Sequence, residues 1–142
     1  MKYKSLILSV LTTMLLIIGS LSTEAKPKQT KVYIFGISTS FTDSTTYITD
    51  IQTLDPAYIE TATGFLYDRS IYSQQLQIWA EVVKNNPYTT CAVFFSESKS
   101  KIEKKFLQIR NKYSKDQSTK LQRLENGEFK FIPQEWTEHE TL

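Results

Sequence analysis

The sequence predicts an α+β protein: a mostly antiparallel four-stranded sheet with two main helices packed on one face, in the order β-β-α-β-α-β. Three observations carry this expectation. Residues 32–37, 45–51 and 89–95 are β-branched and aromatic runs, residues 70–84 repeat their apolar positions at helical spacing, and a second such repeat begins near Ser100. The 142-residue length points to one domain.

Val32-Tyr33-Ile34-Phe35-Gly36-Ile37 reads as a strand with apolar residues on both parities, which implies cover on both faces or an exposed aromatic face. Residues 40–44 supply turn-forming side chains, and residues 45–51 return as the second arm of an antiparallel hairpin. Asp55-Pro56 predicts the start of a short helix, because an Asp carboxylate can accept from first-turn N–H groups and Pro loses no needed donor there. Gly64 interrupts that helix, and residues 65–67 are expected to fold back as an aromatic plug.

Over residues 70–84, Tyr72, Leu76, Trp79 and Val83 share one stripe, with Ile71, Ile78 and Val82 beside it. The combined arc of about 160° predicts a deeply packed helix. Asn85-Asn86-Pro87 stops it, since the residue before Pro avoids helical geometry. Residues 89–95 are β-favouring throughout, so a central strand is expected. Ser100 and Glu103 have capping-box spacing ahead of a helix with the core stripe Ile102, Phe106, Ile109 and Tyr113. After a polar loop at residues 115–120 and a turn at Asn126-Gly127, Glu128-Phe129-Lys130-Phe131-Ile132 alternates as a half-buried last strand that Pro133 ends.

Lys2 and Lys4 precede an apolar centre at residues 6–18, and Thr23-Glu24-Ala25 offers small residues at a cleavage site. This is the pattern of a secretory signal peptide. That 13-residue centre makes roughly 20 Å of helix, short of the roughly 30 Å hydrocarbon core. The expected mature chain is therefore residues 26–142, exported to the periplasm or secreted; an uncleaved leader acting as an anchor is the alternative. Cleavage takes Lys2, Lys4 and Glu24 from 17 basic and 15 acidic side chains, lowering the net charge from +2 to +1. Neither total draws a polyanion strongly.

One Cys and one His exclude an internal disulfide and a structural zinc with four protein ligands, and no cofactor is expected. Cys91 and His139 form the one thiol–imidazole combination, but Cys91 sits within a strand run and His139 near the chain end. Cys91 is expected to be buried and inert. Gly36-Ile37-Ser38-Thr39-Ser40 lacks the final Gly of a nucleophile elbow and precedes a hairpin instead of a helix. Among the acids, Asp43 and Asp50 near the hairpin are the candidates for a small carboxylate hydrolase, with Asp55 and Asp68 in capping positions. The coherent polar pattern is basic. Lys101, Lys104, Lys105, Lys112 and Lys115 share an arc of about 100° on the last helix, as either a solvated face or a site for an anionic envelope component or acidic protein partner. Tyr33, Phe35, Phe41, Tyr47, Phe65 and Tyr67 are a second candidate surface, competing with plain core packing. No nucleic-acid motif is present.

The leader, the start Lys31-Val32-Tyr33-Ile34-Phe35-Gly36, the segments Phe41-Thr42-Asp43-Ser44-Thr45 and Tyr47-Ile48-Thr49-Asp50-Ile51-Gln52, and Cys91-Ala92-Val93-Phe94-Phe95 before a Lys-rich helix resemble a family of small exported bacterial proteins without a characterised activity. That resemblance implies export and transfers no site residue. The last strand-helix-strand also resembles half of a SPOR domain, a family that binds peptidoglycan glycan strands, although the leading hairpin departs from the SPOR order. A non-catalytic envelope-binding module is the expected function. The alternatives are the carboxylate hydrolase and a structural subunit of an oligomer, the latter favoured if the wide apolar arc of residues 70–84 stays uncovered.

Overall fold

The computed structural model describes residues 26–125 and 127–138. The expected leader, Asn126 and His139 lie outside them. The elements are β1 (Lys28–Ser40), β2 (Thr45–Thr49), β3 (Gln52–Ile59), α1 (Arg69–Val83), β4 (Thr89–Ser96), α2 (Lys99–Lys115) and β5 (Lys120–Leu124). The α+β class holds. Its details differ from expectation: the sheet has five strands and is mixed, because β5 runs parallel to β2 while all other pairs are antiparallel.

The 13-residue β1 organises the sheet. β2 and β3 lie end to end along one of its sides, and β4 takes the other side in an unbroken register from Tyr33↔Ser96 to Ser40↔Thr89. β5 extends the sheet beyond β2. Of the two strands likened to half a SPOR domain, residues 89–95 form β4, whereas residues 128–132 form no strand; the strand that follows α2, β5, is separated from β4 by β1 and β2.

The helices cover opposite faces, which corrects the single-face expectation. Val32 and Ile34 of β1 join Leu54, Tyr72, Leu76, Phe129 and Phe131 in a core beneath α1. Phe35 joins Ile48, Ile102 and Phe106 in a second core beneath α2. Successive residues of a strand point to opposite faces, so the double apolar parity of β1 feeds both layers. Each fully buried side chain of this size contributes on the order of 1.5–3 kcal/mol. Gly36 lets α1 approach: a Cβ there would meet Leu76 Cδ2 at 2.8 Å and Phe131 Cζ at 3.1 Å.

Asp55-Pro56 does not start a helix; it lies inside β3 with a cis peptide bond. The pairing of β3 with β1, which shifts register at this point and still buries Leu54, Ala57 and Ile59, outweighs the local capping signal. Residues 65–67 do fold back, but the plug is aliphatic and not aromatic: Leu66 is buried and bridged to Ile59, while Phe65 is exposed. α1 is less deeply packed than its arc predicts, since Ile78 is 60% exposed, Val82 76% and Val83 61%. Asp68 precedes α1 with a left-handed backbone and no side-chain capping bond. The cap of α2 is Ser98, not Ser100; its Oγ accepts from Lys101 N at 3.4 Å.

β4 is an edge strand, not a central one. Nothing among the described residues pairs with its outer side. Its continuous apolar run reflects the two helices on its faces, which burial on both parities requires whether or not a neighbouring strand lies beyond. The last strand is likewise displaced, to Lys120–Leu124. Residues 128–132 keep the expected alternation, with Phe129 and Phe131 buried, but side chains bind the backbone here in place of a ladder. Gln52 donates to Phe129 O at 2.9 Å and accepts from Phe131 N at 2.8 Å. Gln75 does the same for Ile132, and Gln134 N donates to the Tyr72 hydroxyl.

Candidate functional site

α2 begins where β4 ends and crosses the sheet toward β5. At about 100° per residue, Ile102 and Phe106 face the sheet, and Lys101, Lys105 and Lys112 fall together on one flank, with Lys104 and Lys115 farther outward. Contacts identify that flank as the β4 side. The Lys105 ammonium lies 5.4 Å from the Phe94 ring centre. Lys101 borders a shallow hollow of about 280 Å³ past the end of β4, lined by Phe95, Ser96, Glu97 and Ser98 together with Ile59 and Gly64. On the opposite flank the Arg123 guanidinium of β5 stacks 5.8 Å from the Phe106 ring centre.

All five lysines are exposed. None takes part in an ion pair among the described residues; those pairs are Lys26–Glu138, Lys28–Glu97, Lys84–Glu128 and Arg123–Asp50. The one acid of α2, Glu103, falls on the Arg123 flank by the same spacing. The lysine flank therefore presents uncompensated positive charge on a rigid element. Glu97, beside Lys101 in the hollow, is engaged by Lys28 Nζ at 3.0 Å and Thr30 Oγ1 at 2.9 Å, and these hydrogen bonds hold its carboxyl below its ordinary value.

The other candidates do not assemble. Asp43 accepts from Thr45 N at the start of β2, and Asp50 binds Arg123 past its end, so the strand separates them by roughly 20 Å. Asp55 is exposed on β3 and Asp68 stands ahead of α1. No group of three or more His, Cys, Asp or Glu suited to a metal occurs among the described residues. Cys91 is half-buried; burial raises its thiol pKa, and the Ser38 and Thr89 hydroxyls beside it offset that only in part. Ser38 is buried in β1, and Ser40 bonds Thr42 and the Pro87 carbonyl as a strand-end residue.

Among the aromatic candidates, Phe35 and Tyr47 are core, whereas Phe41 at the β1–β2 turn is 88% exposed. Sequence reasoning missed the open side of β4, because an apolar run between two helix layers looks the same at the edge of a sheet as at its centre. No described helix is long and apolar enough to cross a membrane. No protein-family model, curated protein or solved structure matches the chain.

Proposed function

We propose that the chain is an exported, non-catalytic binding module whose contact surface is the lysine flank of α2, directed at an anionic component of the cell envelope. The observation that supports this reading is the flank itself: Lys101, Lys104, Lys105, Lys112 and Lys115 are exposed, outside every described ion pair and fixed by the packing of Ile102 and Phe106. Surface charges of this kind steer and orient a partner more than they stabilise the fold. Reversal of three charges, Lys101→Glu, Lys105→Glu and Lys112→Glu, is expected to abolish capture of envelope material by the immobilised protein and to leave its melting cooperative. Undiminished capture by a folded triple variant rejects the site.

A second reading, a structural subunit, draws on a separate surface. Ile78 and Val82, one turn apart on α1, stay exposed, and an exposed apolar face of this kind marks contact surfaces. If α1 packs against another copy, Ile78→Ser with Val82→Ser lowers the mass seen in sedimentation equilibrium. A monomer of unchanged mass before and after the substitutions removes this reading.

A further inference from the structure

We infer that the open side of β4 is a docking edge for an extended acidic segment of a partner protein, which adds to the sheet as a further strand beneath the lysine flank. This rests on the proposal that the flank is the contact surface, and it narrows the partner to a polypeptide.

The outer strands of this sheet are protected unequally. β3 carries Pro56 and the exposed Asp55 and faces a register break between Thr30 and Val32 of β1; β5 is five residues long and carries Lys120 and Arg123. Proline, charge, irregular register and shortness are the devices that discourage strand addition. β4 has none of them. Its eight residues, Thr89–Ser96, contain no charge and no proline, and their pairing with β1 is continuous. In an antiparallel pair every second residue turns its N–H and C=O away from the partner strand, so the outer side of β4 offers a regular row of donors and acceptors.

Charge selects the occupant. On the α2 face, Lys105 lies over Phe94 of β4 and Lys101, one turn earlier, stands at the C-terminal end of the strand near Ser96, with Lys112 on the same flank. A strand laid against β4 would bring every second side chain toward those ammonium groups, which favours acids at alternate positions. Lipid headgroups and glycan phosphates would satisfy the lysines but leave the backbone row unused. A second copy fits poorly: antiparallel pairing of β4 with its own mate about a two-fold axis sets the two α2 helices side by side on one face, lysine flank against lysine flank. Like charges so placed oppose self-pairing.

The test uses the purified protein and a labelled peptide of alternating Glu and Val, matched to the eight residues of β4. One control peptide is N-methylated at alternate residues, which keeps the charge and removes edge pairing; phosphatidylglycerol vesicles are the second control. The alternating peptide is expected to bind at least about tenfold tighter than its N-methylated form and to slow hydrogen exchange of β4 amides. Lys101→Glu with Lys105→Glu is expected to weaken it by about tenfold or more. Equal binding of the N-methylated peptide overturns the edge and leaves the lysine site standing. Vesicle binding without peptide binding overturns it in favour of lipid, and peptide-free dimers with protected β4 amides overturn it in favour of a second copy. Indifference of peptide and vesicles alike to the lysine reversals removes both this inference and the proposal beneath it.

Discussion

Cys91 shows how burial decides a residue's chemistry. Its thiol sits against the core under α1, and burial raises its pKa, so less thiolate is present at a given pH than in an open peptide. At pH 8 iodoacetamide is expected to label it slowly in the folded protein and rapidly in denaturant; equal rates would contradict the burial. Glu97 shifts the other way, through hydrogen bonds from Lys28 and Thr30. Because its folded value lies below the ordinary 4.5, its small contribution to stability is present above that pH and is lost as the pH falls through the folded value. Lys28→Met is expected to move its NMR titration midpoint upward, and an unmoved midpoint would show that the contact is absent in solution. The strand setting of Cys91 predicts full burial; the structure buries it only in part, because β4 is an edge strand. The Glu97 pairing was not legible in the sequence, because it joins residues 69 positions apart that only the β1–β4 register brings together.

Elements were legible where their periodicity was long and lost where a local signal competed with the tertiary one. α1 and α2 follow from apolar spacing within a residue or two, and β1, β2 and β4 from β-branched runs. Asp55-Pro56 has good first-turn chemistry, yet it lies at a register shift within a strand that β1 pairs on both sides of it. Residues 128–132 show the reverse case: their alternation sends Phe129 and Phe131 inward, but Gln52 and Gln75 meet the backbone that a ladder would have met. Gln52→Ala leaves two partly buried backbone groups unpaired, so it is expected to cost about 1–3 kcal/mol in urea unfolding. A change within about 0.3 kcal/mol would mean that water replaces the amide without loss.

At the scale of the molecule, the layered plan explains both what was visible and what was hidden. Apolar residues on both parities of β1 pointed to cover on two faces, whereas helix count alone suggested one. Strand order depends on long-range pairing, so the edge position of β4 and the parallel docking of β5 had no local signature. The five lysines were legible as an arc on one helix; that the arc borders an open strand edge required the fold. Whether this flank is the contact surface is answered by lysine acetylation footprinting of the protein with and without an envelope fraction. Acetylation is expected to be lost at Lys101, Lys104, Lys105, Lys112 and Lys115 on binding, with Lys26 and Lys130 still reactive. Protection confined to other lysines, or an unchanged pattern upon binding, would contradict that role for the flank.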